Sequence, residues 1–291
     1  MPGEGCAPGP GPGPVPAPGG PLTVEQERDF FEQGYAVVRG LLAPGEVAEV
    51  AAAFDRLAAR AAALELTGTD LTPAGDEKVM CEGSQFVLHA TGRPGGAPAI
   101  RRVVWAGACE PALSKWGEDR RILAIARQVL KCGDEAEHLI NQAHFKMPGD
   151  GTWFPAHQDS THRGYGTDWV DVTGRGSFVQ VLLAVDAATE ANGPLIVLPR
   201  SGEQGHLGLD YSELRQTVDP RLDKYEETFL LMEPGDVALL SPYIVHRSQP
   251  NTGGGPRRAF INGFSAPGAN KKLYPGHEAG AGRRVALPPP P

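Results

Sequence analysis

Two of the eight histidines in this chain, His157 and His246, stand where a metal ion could use them. His157 and Asp159 are separated by one residue in the segment Phe154-Pro155-Ala156-His157-Gln158-Asp159. In extended backbone, side chains two apart leave the same face, so the pair presents two donors together. A third donor must come from elsewhere, and His246 suits the role. It ends the run Pro242-Tyr243-Ile244-Val245, where an apolar strand would carry one imidazole inward. Two imidazoles and a carboxylate on one face of a metal leave the opposite positions open, the arrangement used by non-haem Fe(II) oxygenases. A bidentate 2-oxo acid can take two of those positions and O2 the third, which couples decarboxylation of the cosubstrate to oxidation of a substrate.

The far carboxylate of such a cosubstrate, 2-oxoglutarate, needs a buried planar cation, because a guanidinium meets a carboxylate with two parallel charge-assisted hydrogen bonds. Arg257 and Arg258 follow His246 and open the strand-like run Ala259 to Phe264. Successive side chains alternate in a strand, so only one of the two can face inward. A competing local grouping, His157-x-Asp159-x-x-His162, has donors that zinc also accepts. His89, His138, His144, His206 and His277 lack ligand-like spacing and read as surface or hydrogen-bonded core residues, with His144 placed in a strand that runs toward the metal motif. Trp153, Tyr165 and Trp169 flank that motif and suit either a ligand or the core. Gln180 and Asn262 are polar residues inside apolar strand runs, where a buried side chain needs a partner.

The elements that must position these residues are legible in the hydrophobic pattern. Thr23 and Gln26 have capping-box spacing and open a helix with Phe30 and Phe31 as anchors, ended by Gly34. Tyr35 to Val38 reads as a strand, and Pro44 opens a second helix. In that helix Val47, Val50, Phe54, Leu57, Ala61 and Leu64 share one face. Thr67 to Pro98, rich in Gly, Pro and Asp around an apolar island at Phe86 to Leu88, predicts a long surface excursion. Strand-like runs then follow at Ile100–Trp105, Leu139–Lys146, Ser177–Val185, Leu195–Leu198, Thr228–Met232, Val237–Leu240 and Arg258–Phe264, interrupted by one helix near Arg120–Leu130. Asn192-Gly193-Pro194 and Pro234-Gly235-Asp236 are tight-turn sequences that favour antiparallel pairing. The expected architecture is mainly β, a double-sheet barrel with flanking helices.

The chain resembles the phytanoyl-CoA dioxygenase family of Fe(II)- and 2-oxoglutarate-dependent oxygenases. The resemblance runs from Gly34-Tyr35-Ala36-Val37-Val38-Arg39-Gly40 through His157-Gln158-Asp159, Glu190-Ala191-Asn192-Gly193-Pro194-Leu195, Pro234-Gly235-Asp236 and His246-Arg247-Ser248 to Arg257. It implies the double-stranded β-helix, a jelly-roll or cupin-like barrel, with iron on His157, Asp159 and His246. It further implies 2-oxoglutarate on Arg257 assisted by Ser248, and O2 as oxidant, with ascorbate supporting activity. Two departures are visible. Pro199-Arg200-Ser201-Gly202 stands where many members have Pro-Gly-Ser-His, and Gly253-Gly254-Gly255 could shift the Arg257/Arg258 choice by one. Some relatives are halogenases in which a small residue replaces the metal-binding carboxylate; with Asp159 present, hydroxylation or a related C–H oxidation is the expected reaction, releasing succinate and CO2. The competing readings are a catalytically silent barrel that binds a ligand, and a barrel enzyme using a metal other than iron.

Composition bounds the rest. With 41% hydrophobic residues, the 291-residue chain can bury one large core. Twenty-seven Lys and Arg against 35 Asp and Glu give a net charge of −8, which offers no basic field for nucleic acid or anionic lipid. No run approaches the ~18 apolar residues that span a bilayer, and no secretory leader is expected. Four widely spaced cysteines fit a reducing, cytoplasmic setting. Residues 1–21 are almost wholly Gly, Pro and Ala and read as a disordered arm, 22–287 as a single oxygenase domain and 288–291 as a proline tail. The expected partner is a small-molecule substrate, with no obligatory protein partner. No Lys/Arg cluster suggests a CoA phosphate site, so a small polar metabolite is favoured over a long-chain acyl-CoA.

Overall fold

The computed structural model describes residues 22–72, 74–89, 98–209, 219–275 and 282–289. The predicted arm at 1–21 lies outside them, as do the last two residues of the proline tail. Thr23 caps helix α1 (Val24–Gln33) with the reciprocal hydrogen bonds of a capping box, and Gly34 at φ 87° ends it. Strand β1 (Tyr35–Val38) leads to helix α2 (Pro44–Ala62), which opens on Pro44 and buries Val47, Val50, Phe54, Leu57 and Ala61 on one face.

The predicted surface excursion is instead a hairpin followed by a third strand: β2 (Glu77–Cys81), β3 (Ser84–His89) and β4 (Ala99–Val104) pair in sequence. Its turn residues Glu82 and Gly83 both have positive φ, 47° and 79°, as a two-residue primed turn requires. Glu at the first of these positions hides the turn from a reading tuned to Asn-Gly or Asp-Gly. The apolar island Phe86–Leu88 is the buried part of β3.

Helices α3 (Pro111–Gly117), which the sequence did not predict, and α4 (Arg120–Leu130) precede the long strand β5 (Glu135–Lys146). Strand β6 (Phe154–His157), the short helix α5 (Asp159–Arg163), β7 (Phe178–Ala184), β8 (Leu195–Leu198), β9 (Thr228–Leu230), β10 (Val237–Leu240), β11 (Val245–Ser248), β12 (Arg257–Ser265) and β13 (Arg283–Ala286) complete the chain. Two antiparallel sheets result. The larger has nine strands in the order β1-β10-β7-β12-β5-β4-β3-β2, with β13 also on β5; the smaller runs β6-β11-β8-β9. This is the expected double-sheet barrel with helices outside.

Strand alternation divides the large sheet into two faces. On the outer face Phe145 of β5 and Phe260 of β12 meet Phe54 of α2, with ring centroids 5.0 and 6.4 Å away. This cluster continues into α1 and α4 through Phe30, Ile122 and Ile125. Each such side chain removed from water contributes about 1.5–3 kcal/mol. Leu182, Ala184, Ala238, Leu240, Ala259 and Ile261 lie on the inner face and pack with Val197, Leu230 and Ile244 from the other side of the barrel.

Candidate metal centre and its cation pocket

The two-toothed ligand predicted for His157 and Asp159 forms at the end of β6. Gln158 remains extended (φ −112°, ψ 140°) before Asp159 enters α5, so the two donors still leave the backbone on one side. Gln158 itself points away and is fixed there. Its amide nitrogen donates to Gly205 O (3.0 Å) and Tyr243 O (2.5 Å), and its oxygen accepts from Leu207 N (2.7 Å). His246 faces His157 across the β6–β11 pairing, with ring centroids 4.2 Å apart. It lies one residue inside β11, which begins at Val245; Pro242 and Tyr243 form a turn and Ile244 lies outside the strand, so the predicted strand leading up to His246 is corrected.

One donor atom from each of His157, Asp159 and His246 lies within 4.8 Å of the others, and all three residues are buried. His246 Nε2 is 4.0 Å from Asp159 Oδ1. His157 Nδ1 donates to Pro155 O (2.8 Å) and His246 Nδ1 to Ile244 O (3.1 Å). Each bond fixes the tautomer whose lone pair is on Nε2, the form a metal needs. Burial first, then His246 and His162, holds His157 well below the ordinary histidine range, so it is neutral at physiological pH. Asp159 Oδ2 is buried without a hydrogen-bond partner among the described residues, a costly state that a cation would relieve. Two imidazoles with Nε2 free to coordinate, and a carboxylate with an orphaned oxygen, fit a divalent metal. His162 sets its ring edge-on to His157 at 4.8 Å, but the donors that converge belong to His157, Asp159 and His246, not to the alternative grouping with His162.

The arginine pair divides as alternation requires. Arg258 faces outward with Phe145 and binds Asp186 through Nε and Nη2 (both 2.8 Å) and Asp55 through Nη1 (2.7 Å). Arg257 turns inward and is 9% exposed. Its Nη2 donates to Gly193 O (2.8 Å), while its Nε has no partner among the described residues. Burial lowers its pKa to about 10, still cationic at neutral pH.

Directly opposite Arg257 on β5 stands Lys146, which sequence reasoning did not single out. It is 2% exposed, and its ammonium donates to Ser248 Oγ (2.7 Å), to Gly193 O (3.3 Å) and to Gln249 O. Burial first, then Arg257, lowers its pKa to about 6. The signal that could have found it is the period-two pattern Gln142, His144, Lys146, which sets three polar side chains on one face at the end of the strand. Gly193 serves both cations with one carbonyl; at φ 71°, with Gln249 O only 2.2 Å from where a Cβ would stand, no other residue fits.

The remaining candidates separate. Gln180 lies on the inner face opposite Gly263 and Leu240. Asn262 lies on the outer face, where its oxygen accepts from Asn141 Nδ2 and meets His138 Nε2, both at 3.1 Å. Trp169 is fully buried and belongs to the barrel core, Tyr165 is exposed and stacks on His206 at 4.4 Å, and Trp153 lines a cleft beside β4. His144 faces the interior and bonds Gln142 Oε1 (2.9 Å), His206 Nδ1 meets Ser160 Oγ (2.8 Å), and His89 pairs with Asp76. His277 lies outside the described residues. At the first departure from the family pattern, Arg200 takes the left-handed backbone (φ 66°) that glycine occupies most easily, and Ser201 Oγ accepts from Val245 N (2.8 Å) at the start of the strand that carries His246.

Comparison with known proteins agrees with this geometry. The family model for phytanoyl-CoA dioxygenase matches residues 30–259. A methylphosphonate hydroxylase from Gimesia maris is 30% identical over 139 residues, 46% of this chain and 47% of that protein, so the match spans about half of either. Among solved structures, EctD from S. alaskensis in its apoform has a TM-score of 0.65 at 21% identity, covering 94% of this chain and 92% of its own. SnoK, a non-heme alpha ketoglutarate dependent carbocyclase from nogalamycin biosynthesis, has a TM-score of 0.60 at 18% identity over 84% of both chains. At these identities the structural likeness establishes the fold.

Proposed function

The chain belongs to the phytanoyl-CoA dioxygenase family, whose model matches residues 30–259, and from that premise we propose that it is an Fe(II)- and 2-oxoglutarate-dependent dioxygenase that oxidises a C–H bond of a small molecule. His157, Asp159 and His246 hold the iron in this reading, and Arg257, Lys146 and Ser248 hold the far carboxylate of 2-oxoglutarate. Iron bound there supplies the redox chemistry by which O2 oxidatively decarboxylates 2-oxoglutarate to succinate and CO2 while the substrate is oxidised. The observation that carries the reading is the pairing of two buried basic side chains, Arg257 and Lys146, one beside the other with no carboxylate bound to either among the described residues. With its pKa lowered to about 6, Lys146 is an uncharged amine beside the Arg257 guanidinium at neutral pH; a carboxylate brought between them would restore the ammonium, and a dicarboxylate chelating the adjacent metal would supply one.

The chain's own residues have separate tasks. The carbonyls of Pro155 and Ile244 hold the imidazoles in the metal-binding tautomer, and Gln158 anchors the backbone between the two donors of β6 and α5. Gly193 O and Ser248 Oγ orient the cation pair toward the carboxylate. The substrate class includes small polar molecules, and the similarity to a methylphosphonate hydroxylase makes an alkylphosphonate one member to try. No described helix is long and apolar enough to cross a membrane. The described cysteines, Cys81, Cys109 and Cys132, are unpaired, which supports a cytoplasmic setting.

The test is anaerobic addition of Fe(II) and 2-oxoglutarate, followed by air and a metabolite pool containing methylphosphonate. A visible charge-transfer band of the chelate, and then Fe(II)-dependent succinate stimulated by one component of the pool, is the expected result. Loss of both metal and 2-oxoglutarate binding would leave a silent barrel.

A further inference from the structure

The three donors assigned to the metal are not held alike. His157 and His246 sit in paired strands of the small sheet, whereas Asp159 opens helix α5, which is five residues long. A helix that short makes too few internal hydrogen bonds to stand on its own. Asp159 Oδ2 accepts no hydrogen bond among the described residues, so the place of the carboxylate is set by the helix beneath it. At its start the helix is tied to the small sheet and its neighbours: Ser160 N donates to Pro242 O (2.9 Å), and Ser160 Oγ meets His206 Nδ1 (2.8 Å). Its other end is held by the chain that leaves β12.

After Ser265, residues 266–275 cross from the large sheet to α5 as a strap. Strand β12 has nine residues, so the strap departs roughly 26 Å along the strand from Arg257, at the end of the barrel away from the cation pocket. Its start and middle are fastened to the segment around Trp169. Ala266 N donates to Ser177 O (3.0 Å) and Trp169 Nε1 to Ser265 Oγ (3.4 Å), while Val170 N donates to Ala269 O (2.9 Å) and Lys271 N to Asp168 O (2.6 Å). Two side chains of the strap then reach α5. Lys272 Nζ donates to His162 O, next to the last residue of the helix. Tyr274 Oη accepts from Arg163 Nη1 (2.8 Å) and donates to Asn270 Oδ1 (3.4 Å). The Arg163 guanidinium is buried and packs on the rings of Tyr274 (5.0 Å) and of Phe178 of β7 (5.4 Å). The charge of Asp159 is felt at this joint: burial raises the Tyr274 phenol above its ordinary pKa, Arg163 opposes that, and Asp159 adds to it.

Resting on the assignment of the metal to Asp159, we propose that this strap positions the metal-binding carboxylate: Tyr274 and Lys272 hold the far end of α5, through Arg163 and the His162 carbonyl, and thereby set where Asp159 meets the metal. Both are positioning residues, since they act through the helix. Metal affinity then depends on a joint between positions 111 residues apart in the chain. The coupling is reciprocal, so metal binding must in turn tighten the strap.

The experiment is a calorimetric titration of the metal-free protein with Ni(II), which such donors bind more tightly than Fe(II). It is run on the unaltered protein, Tyr274→Phe and Lys272→Met, and each is repeated with Asp159→Ala added. Each strap variant is expected to weaken Ni(II) binding about tenfold, the lower end of what loss of an outer-shell partner costs. With Asp159 replaced, the same strap changes should cost nothing, because no carboxylate is left to place. Unchanged affinity in the presence of Asp159, or an equal loss in both backgrounds, would overturn the proposal; the second result would make the strap a general support of the barrel. Either variant suffices for the cycle. If neither folds, amide hydrogen exchange on the unaltered protein decides: Ni(II) should slow exchange over 266–274 together with 159–163, and a strap that gains no protection refutes the coupling. Failure of the unaltered protein to take up Ni(II) would instead remove the metal reading, and this proposal with it.

Discussion

At the residue scale, Asp159 separates metal binding from folding. One of its carboxylate oxygens is buried with no partner among the described residues, so the carboxylate costs stability until a cation meets it. Asp159→Ala is therefore expected to melt no lower than the unaltered metal-free protein, and to lose more than the about 10–100-fold in metal affinity that removal of an outer-shell partner costs. Thermal melts of the metal-free proteins and Fe(II) titrations check the two halves; a metal-free variant that melts well below the parent would contradict the first. Lys146 makes a pH prediction. Its folded pKa, about 6, lies below the ordinary lysine value because of burial and Arg257, so between those values the unfolded chain binds more protons than the folded one. Stability from this group is thus lowest below about pH 6 and rises as pH climbs through the window toward the unfolded value. An anion beside the ammonium reverses the preference, so 2-oxoglutarate should bind with proton uptake near pH 7.5. Calorimetry in buffers of different ionisation enthalpy reads that proton, and Lys146→Gln should abolish it. The metal set was legible because its donors are local or follow an obvious pattern; Lys146 was not, because a lysine ending a strand usually keeps its head in water and only the β5–β12 register places it against Arg257.

At the element scale, alternation along β12 decides which arginine does what, and the two positions should respond oppositely. Arg257→Gln is expected to weaken 2-oxoglutarate binding by about 1.5–3 kcal/mol, the range for hydrogen bonds to charged groups. Arg258→Gln should leave that affinity unchanged and lower the melting temperature, because its partners Asp186 and Asp55 only tie β12 to its outer neighbours. A rise in the 2-oxoglutarate dissociation constant in the second variant rather than the first would invert the assignment. The outer face of the same strand has its own tight point. A Cβ on Gly117 of α3 would stand 2.4 Å from Asn141 Nδ2 and 2.6 Å from Asn262 Oδ1. Gly117→Ala should cost about 1–3 kcal/mol as overpacking, read from the denaturant midpoint, with metal affinity retained. Helices α1, α2 and α4 and most strands were readable from period and caps. The β2–β3 hairpin was not, because its turn carries Glu82 where Asn or Asp would announce it. Helix α3 was also missed: seven residues opened by Pro111 give too few turns for a periodic signal. The side on which Asn262 falls was beyond sequence reading as well, since its neighbours Ile261 and Gly263 are compatible with either face.

At the scale of the whole molecule, the site spans the barrel. His157 and His246 lie on the small sheet, on β6 and β11, whereas Arg257 and Lys146 lie on the large sheet, on β12 and β5. The Lys146 ammonium already crosses between the sheets to Ser248 of β11. A cosubstrate that chelates the metal at one end and meets the cation pair at the other would join the sheets a second time. Metal and 2-oxoglutarate should therefore stabilise the protein cooperatively, because each orders groups that the other needs. A ligand present at a hundred times its dissociation constant contributes about 2.7 kcal/mol. Zn(II) alone should raise the melting temperature, 2-oxoglutarate alone should do little, and the two together should exceed the sum. In Arg257→Gln the increment from metal alone should survive and the excess should disappear, since the small sheet keeps its donors while the large sheet loses its grip on the far carboxylate. Strictly additive shifts in the unaltered protein would mean that the cosubstrate, if it binds, does not reach from one sheet to the other, and that Arg257 serves the barrel's own packing.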